Sequence, residues 1–256
     1  MAYGGGRCVS RCRRLNLQET AAYVAYGVTD EAIAKLGRFG DLLLLSPVNV
    51  TAIRDPLGIE HLHFLDSLSL LTVPEVNGAG RVVDVGSGGG LPAIVLALAL
   101  PGLKVVAVES IRKKCAFIEE VGLLLGLSNL RVECARAEDL GHSGLRESFD
   151  AAVTRAVAPM AVVAEICLPL VRVGGVVVAM KGPMSDQERI QGQNALAILG
   201  AVEGTARQVQ PFPGAENRWL HVARKAFSTP PDYPRRPGVP QKRPLGAGRA
   251  DGGRRS

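Results

Sequence analysis

The sequence predicts an α/β protein with a mostly parallel, seven-stranded sheet, helices on both of its faces and a helical extension before it. Three observations predict this. From Gly80 onward, short β-branched runs alternate with helical apolar patterns. Each run is almost continuously apolar, as strands covered on both faces must be. The first strand-to-helix connection carries Gly86, Gly88, Gly89 and Gly90. At 256 residues, 47% of them hydrophobic, the chain can form one sizeable core with appendages, since domains run to roughly 100–200 residues.

Residues 1–16 are Gly- and Arg-rich and lack the apolar stretch of a secretory signal. They are expected to form a disordered N-terminal segment outside the fold, with an organellar targeting segment as the alternative. Residues 17–75 form a helical region. Apolar residues recur at helical spacing from Leu17 to Leu45, Thr29 is placed to cap a helix starting at Asp30, and Pro47 ends the pattern. A polar stretch from Asn49 to Pro56 leads to a shorter helical pattern around Ile59 to Leu71.

The main domain is expected over residues 76–227. Its strands are read at Arg81 to Gly86, Lys104 to Val108, Arg131 to Ala135, Asp150 to Thr154 and Val176 to Met180, with an antiparallel closing pair at Ala206 to Gln210 and Trp219 to Arg224. Helices are read after the glycine turn, from Ile111 to Leu125 and from Met160 to Val171. Residues 228–256 form a basic, Pro/Gly-rich tail. From Pro230 onward Arg235, Arg236, Lys242, Arg243, Arg249, Arg254 and Arg255 outnumber Asp232 and Asp251, which accounts for nearly all of the net charge of +6. So few apolar residues predict a solvated arm, or an electrostatic contact for a polyanion.

Composition removes several function classes. Cys8, Cys12, Cys115, Cys134 and Cys167 are scattered and form no zinc set with the four histidines, so free thiols, a reducing cytoplasm and no metal are expected. The longest apolar run, Leu91 to Leu100, is too short to span a membrane. No Ser-His-Asp set and no close carboxylate pair is visible. The chain is expected to be a monomer.

The chemistry concentrates at Asp84-Val-Gly86-Ser-Gly88-Gly89-Gly90-Leu91-Pro92. A glycine turn there lets backbone approach a ligand, and the following helix N-terminus is expected to present free N–H groups. A dinucleotide fingerprint would need a sixth-position glycine where Leu91 stands, which disfavours a nicotinamide enzyme. The run does match the Asp-x-Gly-x-Gly-x-Gly signature of class I methyltransferases. It implies a Rossmann-like class I methyltransferase fold whose turn cradles the methionine part of S-adenosylmethionine, with Asp84 orienting the amino-acid end through solvent and backbone contacts. Glu109 closes the second strand roughly 20 residues on, where an acid accepts ribose hydroxyls. Ser110 and Ile111 would flank the adenine. Ala137 and Glu138 follow the third strand, where a backbone N–H and a polar side chain read it.

The likeness is closer than the class. DVGSGGGLP from Asp84, ESIRKK from Glu109, TRA from Thr154 to Ala156, and Lys181-Gly182 resemble the RsmG (GidB) family of 16S ribosomal RNA guanine-N7 methyltransferases. Asn49-Val-Thr-Ala-Ile-Arg-Asp55 and His63-Phe-Leu-Asp-Ser67 resemble its N-terminal signature, and Tyr233 to Leu245 its basic end. The resemblance implies that Gly86, Leu91, Ala137, Glu138 and Arg155 lie around the cofactor together with Gly88 and Gly90, and that Glu109 takes the ribose. Leu44-Leu45 stand where the family usually has Trp-Asn, and Val50 where leucine is usual.

Methylation of guanine N7 needs no general base, because the nitrogen carries an in-plane lone pair and no proton, so no catalytic acid or base is assigned. Arg155 is the candidate to touch both cofactor and target. Lys181 and the cluster Arg112, Lys113 and Lys114 are candidate RNA contacts, since cations opening a helix oppose its dipole and suit phosphate. With 4% aromatic residues, a surface gripping single strands by stacking is not expected. The expected partner is 16S ribosomal RNA or the small ribosomal subunit, an assembled or partly assembled subunit being the more natural substrate. The alternatives are a class I methyltransferase for a small molecule or protein, and a non-catalytic RNA-binding assembly factor.

Overall fold

The computed structural model describes residues 15–155 and 158–247. Two helices come first, α1 (Thr20–Ala25) and α2 (Asp30–Leu45), and Thr29 caps α2 by accepting a hydrogen bond from the Ala32 N–H. A continuous helical run follows: α3 (Pro56–Ile59), a π-helical turn (Glu60–Leu65), α4 (Asp66–Leu68) and a 3-10 turn (Ser69–Thr72). After α5 (Pro74–Asn77) the alternation begins: β1 (Arg81–Val85), α6 (Ala93–Ala99), β2 (Lys104–Glu109), α7 (Arg112–Leu125), β3 (Leu130–Cys134), α8 (Ala137–Leu140), β4 (Phe149–Thr154), α9 (Met160–Cys167), β5 (Val171–Lys181), α10 (Asp186–Ile198), β6 (Ala201–Gln208), β7 (Trp219–Lys225) and α11 (Val239–Lys242).

The sheet has seven strands in the order β3-β2-β1-β4-β5-β7-β6. The first five are parallel, and β7 joins β5 antiparallel, with Val178 opposite Val222. The order reverses between β1 and β4, so ligand crevices are expected beyond the carboxyl ends of those strands. One face packs on α2, α6 and the helical run through Leu36, Phe39, Phe64, Leu68, Val82 and Ile94. The other packs on α9 and α10 through Val83, Phe149, Val163, Val177 and Leu196. Each fully buried aliphatic side chain contributes about 1.5–3 kcal/mol relative to exposure, so the parallel strands are fixed by both layers. No helix among the described residues is long and apolar enough to cross a membrane.

Four differences from the sequence expectations have physical causes. Leu15, expected in a disordered segment, is buried, and its N–H bonds to Asp41 Oδ2 at 3.3 Å. It lies against Gly37 and Gly40, where a Cβ would strike it. The rest of the predicted N-terminal segment, residues 1–14 with Cys8 and Cys12, lies outside the described residues. The helix from Met160 stops at Cys167, because Pro169 follows within one turn and β-branched Val171 and Val173 favour extension, so β5 starts five residues early. Helix α10 was not anticipated, being polar with little apolar periodicity, although Ser185 caps it by accepting the Glu188 N–H at 3.2 Å.

The fourth difference concerns the tail, which is not a solvated arm over residues 228–247. Tyr233 and Leu245 pack on the core, and Arg235 pairs with the fully buried Glu165. A buried carboxylate needs its counter-charge, and that need holds the segment where apolar content alone would not. Arg249, Arg254, Arg255 and Asp251 lie outside the described residues, as does Ala156 of the TRA motif.

Candidate active site

The turn after β1 is built by glycine conformation. Gly86, Gly88 and Gly90 have φ of 80°, 58° and 87°, a region that favours glycine. A Cβ on Gly86 would meet nothing within 4 Å, so this position faces open space, whereas one on Gly90 would collide with Ile94. The N–H groups are not free as expected. Gly86 and Ser87 both donate to Val108 O, Gly90 and Leu91 to Ser87 O, and Gly88 to Glu109 Oε2 at 3.0 Å. The turn therefore offers a ligand a shape more than a set of spare donors.

Asp84 lies beneath this turn, fully buried. Its Oδ2 accepts the Ala93 N–H at 3.1 Å, and Oδ1 has no partner among the described residues. Burial is the main cause that pushes its carboxyl up to about 7. The backbone contact expected of Asp84 is present, but burial removes the expected contact with solvent. An orphaned buried oxygen at the head of a helix suits a cation or a hydrogen-bond donor.

Glu109 knits two connections together. Oε2 takes the Gly88 N–H, while Oε1 accepts from Ser110 at 2.8 Å and Ile111 at 2.9 Å. A carboxylate has about four acceptor sites, so roughly one remains for a sugar hydroxyl. Glu109 lines a cavity of about 260 Å³ with Val85, Gly86, Val108, Ser110, Ala137, Glu138, Val162 and Ile166. Apolar walls with a few fixed polar groups suit a nucleoside.

A second cavity, about 230 Å³, is lined by His63, Asp66, Arg155, Lys181, Arg218 and Trp219 among others. Arg155 Nη1 donates to Leu62 O at 2.9 Å and to His63 Nδ1 at 3.1 Å. His63 Nε2 in turn shares a hydrogen bond with Thr51 Oγ1 at 2.6 Å. His63 Nδ1 also lies 3.1 Å from Leu62 O, so Arg155, His63 and the Leu62 carbonyl form one tight cluster. Burial, aided by Arg155, depresses the His63 pKa to about 4. Asp66, its pKa raised by burial, faces Arg218 at 3.8 Å. Lys181 pairs with Glu188 and bonds Ala158 O.

The predicted residues thus divide among separate surroundings. Gly86, Glu109, Ser110, Ala137 and Glu138 meet in the first cavity. Asp84, Gly88, Gly90 and Leu91 shape the turn below it. Ile111 is exposed and contributes its N–H to Glu109. Arg155 and Lys181 meet in the second cavity and do not line the first. Arg112, Lys113 and Lys114 line neither, and Lys113 borders a groove between α2 and α7. Sequence reasoning missed Thr51, His63 and Asp66 as supports of Arg155's cavity, although both signature segments contained them.

The comparisons with known proteins follow this division. The family model described as GidB, rRNA small subunit methyltransferase G, matches residues 33–211. The chain belongs to this family. Ribosomal RNA small subunit methyltransferase G of Moorella thermoacetica is 42% identical over 218 residues, covering 84% of this chain and 91% of that protein. The methyltransferase G of Rubrobacter xylanophilus is 46% identical over 204 residues, 78% of each chain, and that of Pelotomaculum thermopropionicum is 40% identical over 90% of this chain and 97% of its own. Among solved structures, a variant of MtNAS in complex with S-adenosylmethionine superimposes with a TM-score of 0.50 at 19% identity, over 80% of this chain and 75% of that one. That likeness concerns the fold. The match to the Pelotomaculum sequence, at 90% of this chain, extends past the end of the family model at residue 211 and past β7.

Proposed function

We propose that this member of the methyltransferase G family transfers a methyl group from S-adenosylmethionine to N7 of a guanine in 16S ribosomal RNA of the small subunit. The observation that carries the reading is the pair of cavities over the carboxyl ends of the central strands, one with Glu109 and the glycine turn, the other with Arg155. The residues fit the cofactor: Gly86 leaves open space, Asp84 holds an orphaned oxygen, and Glu138 with Ala137 offers an edge for a purine. When bound, S-adenosylmethionine supplies the electrophilic methyl.

Everything else falls to orientation. Guanine N7 needs no proton removed, so the chain's residues have only to present it in line with the methyl, an effect worth roughly 7–11 kcal/mol. Arg155, immobilised by Leu62 and His63, is suited to direct the base and to keep a positive charge beside it. Asp66 suits guanine's N1–H and amino donors, as an acceptor-only group. A base turned out of its helix would occupy the second cavity, which is of a size to admit one ring system. The cytoplasm, where small subunits are made, is the expected compartment, and a monomer suffices because both cavities are formed by one chain.

The test is methyl transfer from labelled S-adenosylmethionine to small subunits, with the product mapped by mass spectrometry. N7-methylguanine formed by the parent and lost in Arg155→Ala is the expected result. A parent that binds S-adenosylmethionine yet modifies no RNA would point to a small-molecule or protein substrate, and a parent that binds none would point to a non-catalytic assembly factor.

A further inference from the structure

The chain after β7 is fastened down with more polar bonds than a passive tail requires. Arg146 donates to the carbonyls of Thr229, Pro230 and Tyr233, and His142 Nε2 bonds Pro234 O at 2.6 Å. Glu165 on α9, fully buried, accepts three times from Arg235: from its N–H at 2.9 Å, Nε at 2.8 Å and Nη2 at 2.6 Å. Arg235 also bonds Arg243 O, which closes the segment into a loop. Between these anchors the backbone turns at Gly238, φ 80°, into α11.

This loop reaches the first cavity. Gly238, Pro240 and Gln241 line it, together with Val162 and Ile166 from the helix that carries Glu165. The Gly238 N–H donates to Glu138 Oε1 at 3.1 Å, so the loop sets the side chain that borders the cavity at the end of β3. We infer that residues 229–247 act as a strap whose Gly238–Gln241 stretch forms a wall of the nucleoside site, fastened by the Glu165–Arg235 pair, and that methyl-donor affinity depends on it. The inference rests on the cofactor reading above. It also reassigns Arg235 from a candidate polyanion contact to a positioning residue.

Calorimetric titration with S-adenosylmethionine of three chains separates the possibilities: the full chain, one ending at Ala247 and one ending at Pro237. The shorter two both keep Arg235 on Glu165. The chain ending at Ala247 is expected to bind as the full chain does, and the one ending at Pro237 to bind about tenfold or more weakly, for the lost apolar wall and hydrogen bond. Equal binding by all three overturns the strap and leaves the cofactor reading intact, whereas no binding by the full chain overturns both. A second measurement needs no shortened protein. Trypsin cleavage of the full chain after the exposed Lys242, followed by mass spectrometry, is expected to slow at least about fivefold with saturating S-adenosylmethionine, because a ligand held under the loop restrains it. An unchanged rate, with the same ligand bound by calorimetry, overturns the proposal.

Discussion

Single residues divide the glycine turn into positions that serve folding and positions that serve the ligand. A side chain at Gly90 strikes Ile94, so Gly90→Ala is expected to cost about 1–3 kcal/mol of stability, read by denaturant unfolding. Gly86 has open space, so Gly86→Asp should cost only the about 1–2 kcal/mol of a left-handed L-residue, leave the circular dichroism spectrum unchanged and abolish S-adenosylmethionine binding. Asp84 makes a pH prediction. Its carboxyl rises from 3.8 to about 7 in the folded state, which therefore holds a proton that the unfolded chain releases. The stabilisation is complete at low pH and is lost as pH rises through about 7. Melting temperatures followed over that range should fall less steeply in Asp84→Asn than in the parent; the same slope in both would count against this assignment. The glycines, Glu109 and Arg155 were legible because each follows a recognisable strand. The bonds from Arg155 to His63 and onward to Thr51 were not, since they join residues far apart in the chain that share no local pattern.

At the scale of elements, apolar runs marked the covered parallel strands β1, β2, β4 and β5. The exposed antiparallel edge strand β6 starts at Ala201, five residues before the expected Ala206, and its side chains carry too little apolar pattern to mark that start. Periodicity missed α10, whose exposed face is polar and whose stability comes from its cap and from contacts with α9 and β6. It also missed the strap, which is held by the Glu165–Arg235 pair and by bonds from Arg146 and His142 to its carbonyls. Tyr233 and Leu245 pack on the core there, too few apolar side chains to make a pattern. A similar buried pair fixes the end of β7. Lys225 is fully buried and bonds Glu147 Oε1 at 2.7 Å, Leu168 O at 2.8 Å and Val171 O at 2.7 Å. Glu147→Ala would strand that ammonium without a counter-charge and is expected to cost about 3–5 kcal/mol, measured by urea unfolding. Melting like the parent would mean that the two carbonyls alone satisfy the lysine.

Across the whole molecule, exposed cations remain for a polyanion, including Arg112, Lys113, Arg236 and Lys242. If they meet RNA phosphates, log K should fall by about 0.7 per contact for each tenfold rise in salt, and Arg112→Gln with Lys113→Gln should flatten that line. A line of unchanged slope would place the contacts elsewhere. The sheet carries a different lesson for handling the protein. Strand β5 has β4 on one side and β7 on the other, yet the stretch shared with the family model stops at residue 211, before β7 begins at Trp219. A chain cut there would bare a flank of Val176, Val177 and Val178, with unpaired amide and carbonyl groups beside apolar side chains. Such an open border recruits other chains, so light scattering should reveal clumping where the intact protein stays clear.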